Sequence, residues 1–356
     1  MKTFKHLYPQ IYTFANLEQA FRKARRGKRH KPNVAAFECD LDLELLALQD
    51  ALQEESYRPG GYRHFTIYDG KPRRISAAPF RDRVVHHALG NVTEPIWEAR
   101  FIYDSYACRA GKGTHAALDR CTQFARRYPY VLQADIVQFF PSVDHDILRS
   151  LLARRIACPP TLRLADTIIA SGQGIHAARY EMQWFPGDNL LAAQRPRGLP
   201  IGNQTSQFWA NVYLHELDQF VKQSLHCRAY LRYMDDFVLF ANNKADLHRW
   251  REAIVSFLAE RLRLQLHPRK SVIFPSTTGI NFCGWHIYPT HRRLRRSSIR
   301  RFVRRFRHQR AAYRQGDLPL EDLHISVRSW IAHAAHGDTW RLRERLFTDY
   351  PIRAPR

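Results

Sequence analysis

The chain has 356 residues and a formal charge of +23, from 56 Lys and Arg against 33 Asp and Glu. Self-repulsion on that scale serves no folding purpose, so a polyanionic partner is expected, and the abundance of Arg favours bidentate phosphate contacts and stacking on bases. No apolar run reaches the ~18 residues of a spanning helix, and Met1-Lys2-Thr3-Phe4 leads into no signal-peptide core, which argues for nucleic acid rather than a membrane and for a cytoplasmic protein.

In chain order, Leu17–Leu52 reads as helices broken by the basic loop Arg25–Pro32. Arms 62–68 and 71–77 form a hairpin around Asp69-Gly70. Helices over Asp82–Leu89 and Ala116–Arg126 precede a short apolar strand, Val131–Ile136. Ser142 and Asp144 are candidate caps for a helix ending near Leu152. The segment 157–197 reads as one helix followed by irregular structure. From Thr205, the residues Phe208, Trp209, Val212, Tyr213, Leu217 and Phe220 recur at helical spacing. A helix over 247–262 and a strand region over 280–288 follow. Between His291 and Arg310 stand ten Arg and no acid, with Ile299, Phe302, Val303 and Phe306 as an apolar stripe behind Ser297 and Ser298, its candidate caps. Such a helix packs one face and offers phosphate the other. The six Cys contain no C-x-x-C pair, so reduced thiols fit better than a zinc site or disulfides. Most of the 18 His are expected at surfaces or interfaces.

The chemistry concentrates in Tyr233-Met234-Asp235-Asp236, flanked by the strands Tyr230–Tyr233 and Phe237–Phe240. Adjacent carboxylates ~4 Å apart in a partly buried site repel by several kcal/mol. A turn needs only one Asp for its own hydrogen bonding, so the second points to a divalent metal. Asp135 ends a strand about a hundred residues earlier. If the three strands share an antiparallel sheet, three carboxylates meet at one edge, as a two-metal phosphoryl displacement requires.

These residues carry a resemblance to reverse transcriptases over nearly the whole chain. Asp135-Ile136-Val137-Gln138-Phe139-Phe140 looks like the first palm motif. Gly198 through Gln207 looks like the motif opening the helix under the templating base pair. Tyr233–Asp236 is the hallmark turn, His267-Pro268-Arg269-Lys270 the next motif, and Ile280–Trp285 the primer-gripping hairpin. The resemblance implies an α+β right-hand fold with fingers, an antiparallel-sheet palm and a basic helical thumb. The expected divisions are fingers over 1–85 and 150–198, palm over 86–149 and 199–288, and thumb over 289–356. It implies an RNA-directed DNA polymerase with two Mg²⁺ ions, replaceable by Mn²⁺, on Asp135, the Ile136 carbonyl, Asp235 and Asp236. Lys270 would be a general acid or a phosphate contact. Strand alternation puts Lys71 and Arg73 on one face. Arg73, supported by Lys71 and Arg81, is expected to hold the triphosphate, with Ile136, Phe140, Ile201, Gly202 and Gln207 around the nucleotide. Phe140 would be the steric gate against a ribose 2′-hydroxyl, and Gly202 would let the backbone approach the nucleotide. Phe282, Cys283, Gly284 and Trp285 would grip the primer. Arg295, Arg296, Arg300 and Arg304 would track the duplex. Arg109, Lys112 and His115 either contact template or line a solvated loop.

Most relatives carry Gln where this chain has Ile201, and Pro where it has Gln207. Those departures resemble reverse transcriptases of diversity-generating retroelements, as do Tyr106-Ala107-Cys108-Arg109, Lys112–His115 and Ala210–Leu214. This resemblance implies a bacterial, archaeal or phage source and error-prone copying at template adenines. It also implies mutagenic replacement of a variable repeat and a small basic pentameric accessory protein. Retron-like, group II intron-like and phage-defence enzymes are the alternatives, with a non-catalytic RNA-binding scaffold behind them.

Overall fold

The computed structural model describes residues 2–69 and 71–352, with Asp69 and Lys71 by backbone alone. Short apolar-faced helices open the chain: α1 (Tyr8–Ile11), α2 (Phe14–Arg25), α3 (Pro32–Cys39) and α4 (Leu41–Gln53). Thr13 caps α2 by accepting from the Asn16 N–H, and the helix buries Leu17, Ala20, Phe21 and Ala24 at helical spacing. The hairpin β1 (Arg63–Asp69) and β2 (Lys71–Ala77) pairs antiparallel in the expected register, with Gly70 outside the described residues. Then come α5 (Phe80–Glu98), longer than its sequence signal, and α6 (Thr114–Arg127).

Strand β3 (Tyr130–Ala134) leads into α7 (Phe139–Ser142), α8 (His145–Ala153) and α9 (Pro159–Ser171). Asp144 caps α8 through the Asp146 and Ile147 N–H groups, whereas Ser142 lies inside α7 and caps nothing. After two 3₁₀ turns follow α10 (Gln204–Gln219), β4 (Tyr230–Tyr233), β5 (Asp236–Ala241) and α11 (Lys244–Phe257). Both α10 and α11 end in a π-helical turn, 220–224 and 258–262. Strand β6 (Val272–Pro275), which the sequence reading missed, completes a four-stranded antiparallel sheet of order β4-β5-β3-β6.

Side-chain alternation along these strands divides the protein into two cores. Leu132, Ala134, Tyr230, Phe237 and Leu239 face one core, shared with the N-terminal helices, α5, α8 and α10. Val131, Leu231, Val238 and Phe240 face the other, shared with α6 and the C-terminal third. That third begins with a small sheet, β7 (Ile280–Phe282), β8 (Trp285–Ile287) and β9 (Arg292–Leu294). The helices α12 (Arg296–Gln315), α13 (Leu320–Ala334) and α14 (Trp340–Asp349) follow. Phe302 and Phe306 of the α12 stripe are buried, and Ile299 and Val303 pack half-buried beside them. Arg295, rather than Ser297 or Ser298, is the residue at the N-cap of α12, and its side chain makes no cap bond. Among the described residues, no helix is long and apolar enough to cross a membrane.

Candidate active site

Strand register brings the acids together. Ala134 of β3 pairs with Phe237 of β5, so the next step of the same ladder sets Asp135 opposite Asp236. Tyr233 pairs with Asp236 across the β4–β5 turn, which Met234 rounds in a left-handed conformation (φ 59°). Burial, and then the Asp135 charge, push the Asp235 carboxyl up to about 6. Asp236, open at the sheet edge, is pushed up to about 7 by desolvation and by Asp235 and Asp135. Three cations partly offset this charge: Arg73 and Lys270 act on Asp235, Lys270 and Arg295 on Asp236.

The Lys270 ammonium is seated on the Asp135 carboxylate. The loop carrying it is docked by His267 N–H donating to the Asp135 carbonyl (2.8 Å). Ile136 forms a bridge with Leu266, whose hydrogen bonds use the Val137 N–H and the Asp135 carbonyl, leaving the Ile136 carbonyl to other uses. Among the described residues, no group of three His, Cys, Asp or Glu is gathered closely enough to hold a metal as it stands. The chemistry nonetheless fits a hard divalent cation. The donors are all oxygen, and a bound cation offsets both the burial and the mutual repulsion that raise two of the carboxyls.

Around the acids, the expected nucleotide-site residues divide. Arg73 on β2 lies near enough to Asp235 to lower its pKa. Lys71 begins β2, and its side chain lies outside the described residues. Arg81 instead stacks over Tyr57, 5.4 Å from the ring centroid. Phe140 is half-buried, edge-on to the core residue Phe139, and its carbonyl accepts from Leu199 N–H (2.8 Å). Gly202 permits a close approach by β2. At φ 129°, a Cβ would lie 2.9 Å from Ile75 Cγ2 and 3.2 Å from the Ser76 carbonyl oxygen. Ser76 N–H donates to the Ile201 carbonyl (2.9 Å), tying the hairpin to this loop. Gln207 is exposed and accepts from Cys108 Sγ (3.4 Å).

The expected nucleic-acid contacts divide as well. Arg109 is not available to template. Its side chain is 5% exposed, pairs with Glu98, and donates through Nη1 to the Ile102 and Ser105 carbonyls. Lys112 sits over the Tyr103 ring at 3.4 Å. His115 packs against His336 from the turn between α13 and α14 (3.5 Å between centroids, rings tilted by 50°), which makes it an interface residue. Phe282 and Trp285 are buried in the second core, so the hairpin presents its Cys283-Gly284 turn, with Asn281 and His286 on the outer face. Both turn residues have positive φ, and Cys283 senses the Asp236 charge. Arg296, Arg300 and Arg304 are exposed along one side of α12. His86, His145 and His215 are buried.

Sequence reading missed Arg232, whose signal was a charged residue inside an otherwise apolar strand. It is fully buried and paired with the equally buried Asp218 of α10. It also donates to the Met234 carbonyl (3.0 Å), inside the turn that carries the acids.

The reverse transcriptase (RNA-dependent DNA polymerase) sequence profile matches residues 63–287. Protein YkfC of Escherichia coli is 27% identical over 310 residues, covering 75% of each chain. The group II intron-encoded protein LtrA of Lactococcus lactis is 22% identical over 312 residues, which cover 69% of this chain and 49% of LtrA. This chain thus spans about half the length of that relative. A Candida albicans telomerase structure, solved with a telomeric RNA fragment, aligns over 82% of this chain and 55% of its own at 12% identity and a TM-score of 0.46. With more than half its length under one profile, the chain belongs to the reverse transcriptase family.

Proposed function

We propose that this protein copies an RNA template into cDNA by two-metal phosphoryl transfer. The observation carrying this reading is the β3–β5 register, which brings Asp135 to Asp235 and Asp236 at one sheet edge. Asp135, Asp235, Asp236 and the Ile136 carbonyl would hold two Mg²⁺ or Mn²⁺ ions. Once bound, these supply Lewis-acid stabilisation and lower the pKa of the primer hydroxyl. The chain's own side chains do the rest. Arg73, with Lys71, holds the triphosphate, and Phe140 closes the space a 2′-hydroxyl would need. Lys270, held on Asp135, would turn toward the leaving pyrophosphate and give it a proton or a charge contact. The Cys283-Gly284 turn supports the primer end. Arg295, Arg296, Arg300 and Arg304 follow the RNA/cDNA duplex. Fingers (1–85 and 150–198), palm (86–149 and 199–288) and thumb (289–356) divide the work. Primer extension on an RNA template by wild type against Asp235→Ala tests this, and equal extension by both would sink it.

Within the family, we read the enzyme as one of a diversity-generating retroelement, error-prone at template adenines and partnered by a small basic pentameric protein. Ile201 and Gln207 support this. An amide at 201 could report a misplaced nucleotide by hydrogen bonding, whereas Ile only fills space, a difference of ~1 kcal/mol or about fivefold in selectivity. The Cys108–Gln207 contact ties two of the unusual segments together. Misincorporation opposite adenine should fall in Ile201→Gln, and an unchanged error spectrum would refute the role of this position. The likeness to LtrA favours a group II intron-like enzyme as second reading. Neighbouring DNA with two near-identical repeats differing at adenines would decide for the first.

A further inference from the structure

Arg232 stands in the middle of β4 with no solvent exposure, and all five of its N–H groups are used. Nε and Nη2 donate to the two Asp218 oxygens, each at 2.7 Å. Nη2 also donates to Ser105 Oγ (3.1 Å). Nη1 donates to Asn211 Oδ1 (3.1 Å) and to the Met234 carbonyl (3.0 Å). Asp218 is held in turn by the Tyr230 hydroxyl at 2.7 Å. The backbone of Arg232 is locked too: its N–H donates to the Asp104 carbonyl, and its carbonyl accepts from Tyr106 N–H.

A buried ion pair contributes little net stability compared with apolar residues of the same volume, so this one calls for another reason. Met234 supplies it. A non-glycine residue in the left-handed region persists only where its surroundings fix it, and here the fixing donor is the Arg232 fork. The turn's other shoulder is pinned by the Tyr233 hydroxyl on Thr114 Oγ1 (3.0 Å). Asp235 follows Met234 directly, so the backbone that aims its carboxylate is the one Arg232 holds.

We propose that Arg232 is a positioning residue for the catalytic turn, its guanidinium oriented by Asp218 and Asn211 so that the Met234 carbonyl, and with it Asp235 and Asp236, is set before any ion arrives. This rests on the polymerase reading above. It says that the sheet interior, rather than the bound ions, fixes the backbone from which the acidic ligands reach.

The test is Mn²⁺ binding, followed by electron paramagnetic resonance without turnover, on the full chain with template and a chain-terminated primer. Arg232→Lys keeps a positive charge for Asp218 but lacks the fork that reaches Asp218 and Met234 together. Losing this one charge-assisted bond should weaken Mn²⁺ binding by about tenfold. Tyr230→Phe removes a bond from the same buried network without touching the turn, and should leave Mn²⁺ affinity within about twofold. Unchanged affinity in a folded Arg232→Lys, or an equal loss in Tyr230→Phe, would overturn the proposal. If Arg232→Lys does not fold, the paired change Arg232→Met with Asp218→Leu exchanges the ion pair for apolar groups and still frees the Met234 carbonyl. The same tenfold loss is expected there, and failure of this pair to fold would mark the role as purely structural. Wild type that binds no Mn²⁺ would instead count against the polymerase reading itself.

Discussion

Asp235→Asn should stabilise the metal-free protein, although it abolishes the proposed chemistry. The native Asp235 carboxyl titrates near 6 rather than 3.8, because burial and the Asp135 charge disfavour its ionised form. Two pKa units correspond to a ceiling of ~3 kcal/mol, and solvent screening at this partly open edge reduces it to about 1–2. The native state keeps its proton to higher pH than the unfolded chain does. The destabilisation is therefore absent below the unfolded carboxylate's pKa, grows as pH rises toward 6, and is complete above it. Thermal unfolding in chelator should show a gain for the variant on the order of 1–3 °C at about pH 8, shrinking toward about pH 4. Saturating Mg²⁺ should raise the wild-type Tm and raise that of the variant less, since binding to the native state alone stabilises it. A variant that melts lower than wild type at the higher pH, or a gain indifferent to pH, would refute this account of the charge balance.

Arg109→Ala should destabilise the protein by about 2–4 kcal/mol, by leaving Glu98 and two carbonyls without their donor, while template affinity in the remaining folded protein stays within about twofold. Denaturant unfolding and a filter-binding assay separate the two effects. With ~6–10 phosphate contacts, template–primer affinity should fall by ~10³–10⁵ between about 50 and 200 mM salt, and Arg300→Ala should flatten the log–log slope by about 0.9. A slope indifferent to Arg300 would remove α12 from the duplex path. Phe140→Ala should admit ribonucleotides about 10–100-fold more readily with deoxynucleotide incorporation little changed, read from single-nucleotide insertion kinetics. Unaltered sugar selectivity would assign the gate elsewhere.

The acids were readable because two-residue alternation and a doubled Asp at a tight turn leave few alternatives, and their convergence follows from an antiparallel sheet. The α12 stripe was readable for the same reason at helical period. Side-chain partners across loops were not. Arg109 looks like any basic residue in a Gly-rich segment, and only the fold brings Glu98 to it, eleven residues upstream across a turn. Phe282 and Trp285 carry the aromatic character expected of a nucleic-acid grip, yet strand pairing turns both inward. Gly202 was read as a place where a nucleotide approaches, and the approach of β2 to the same residue is one that no local pattern announces. Strand β6 was hidden because Ser271-Val272-Ile273-Phe274-Pro275 is short and ends in Pro, a residue at home on an edge strand such as this one.

The second core has a practical consequence for anyone trimming this protein. The family profile stops at residue 287, which invites a fragment cut there as a minimal unit. It would instead strip the lid from Trp285, which is wholly enclosed and packed against His333 and Gly337. Phe302, Phe306, Leu323 and Trp330 belong to that same enclosure. The cut would leave a greasy, freshly opened flank on a strongly cationic remnant, a recipe for clumping on nucleic acid and on itself. The C-terminal helices are less an attachment than a wall of the same room. Shortened versions should keep the chain through α14 and be sought by shaving loops instead.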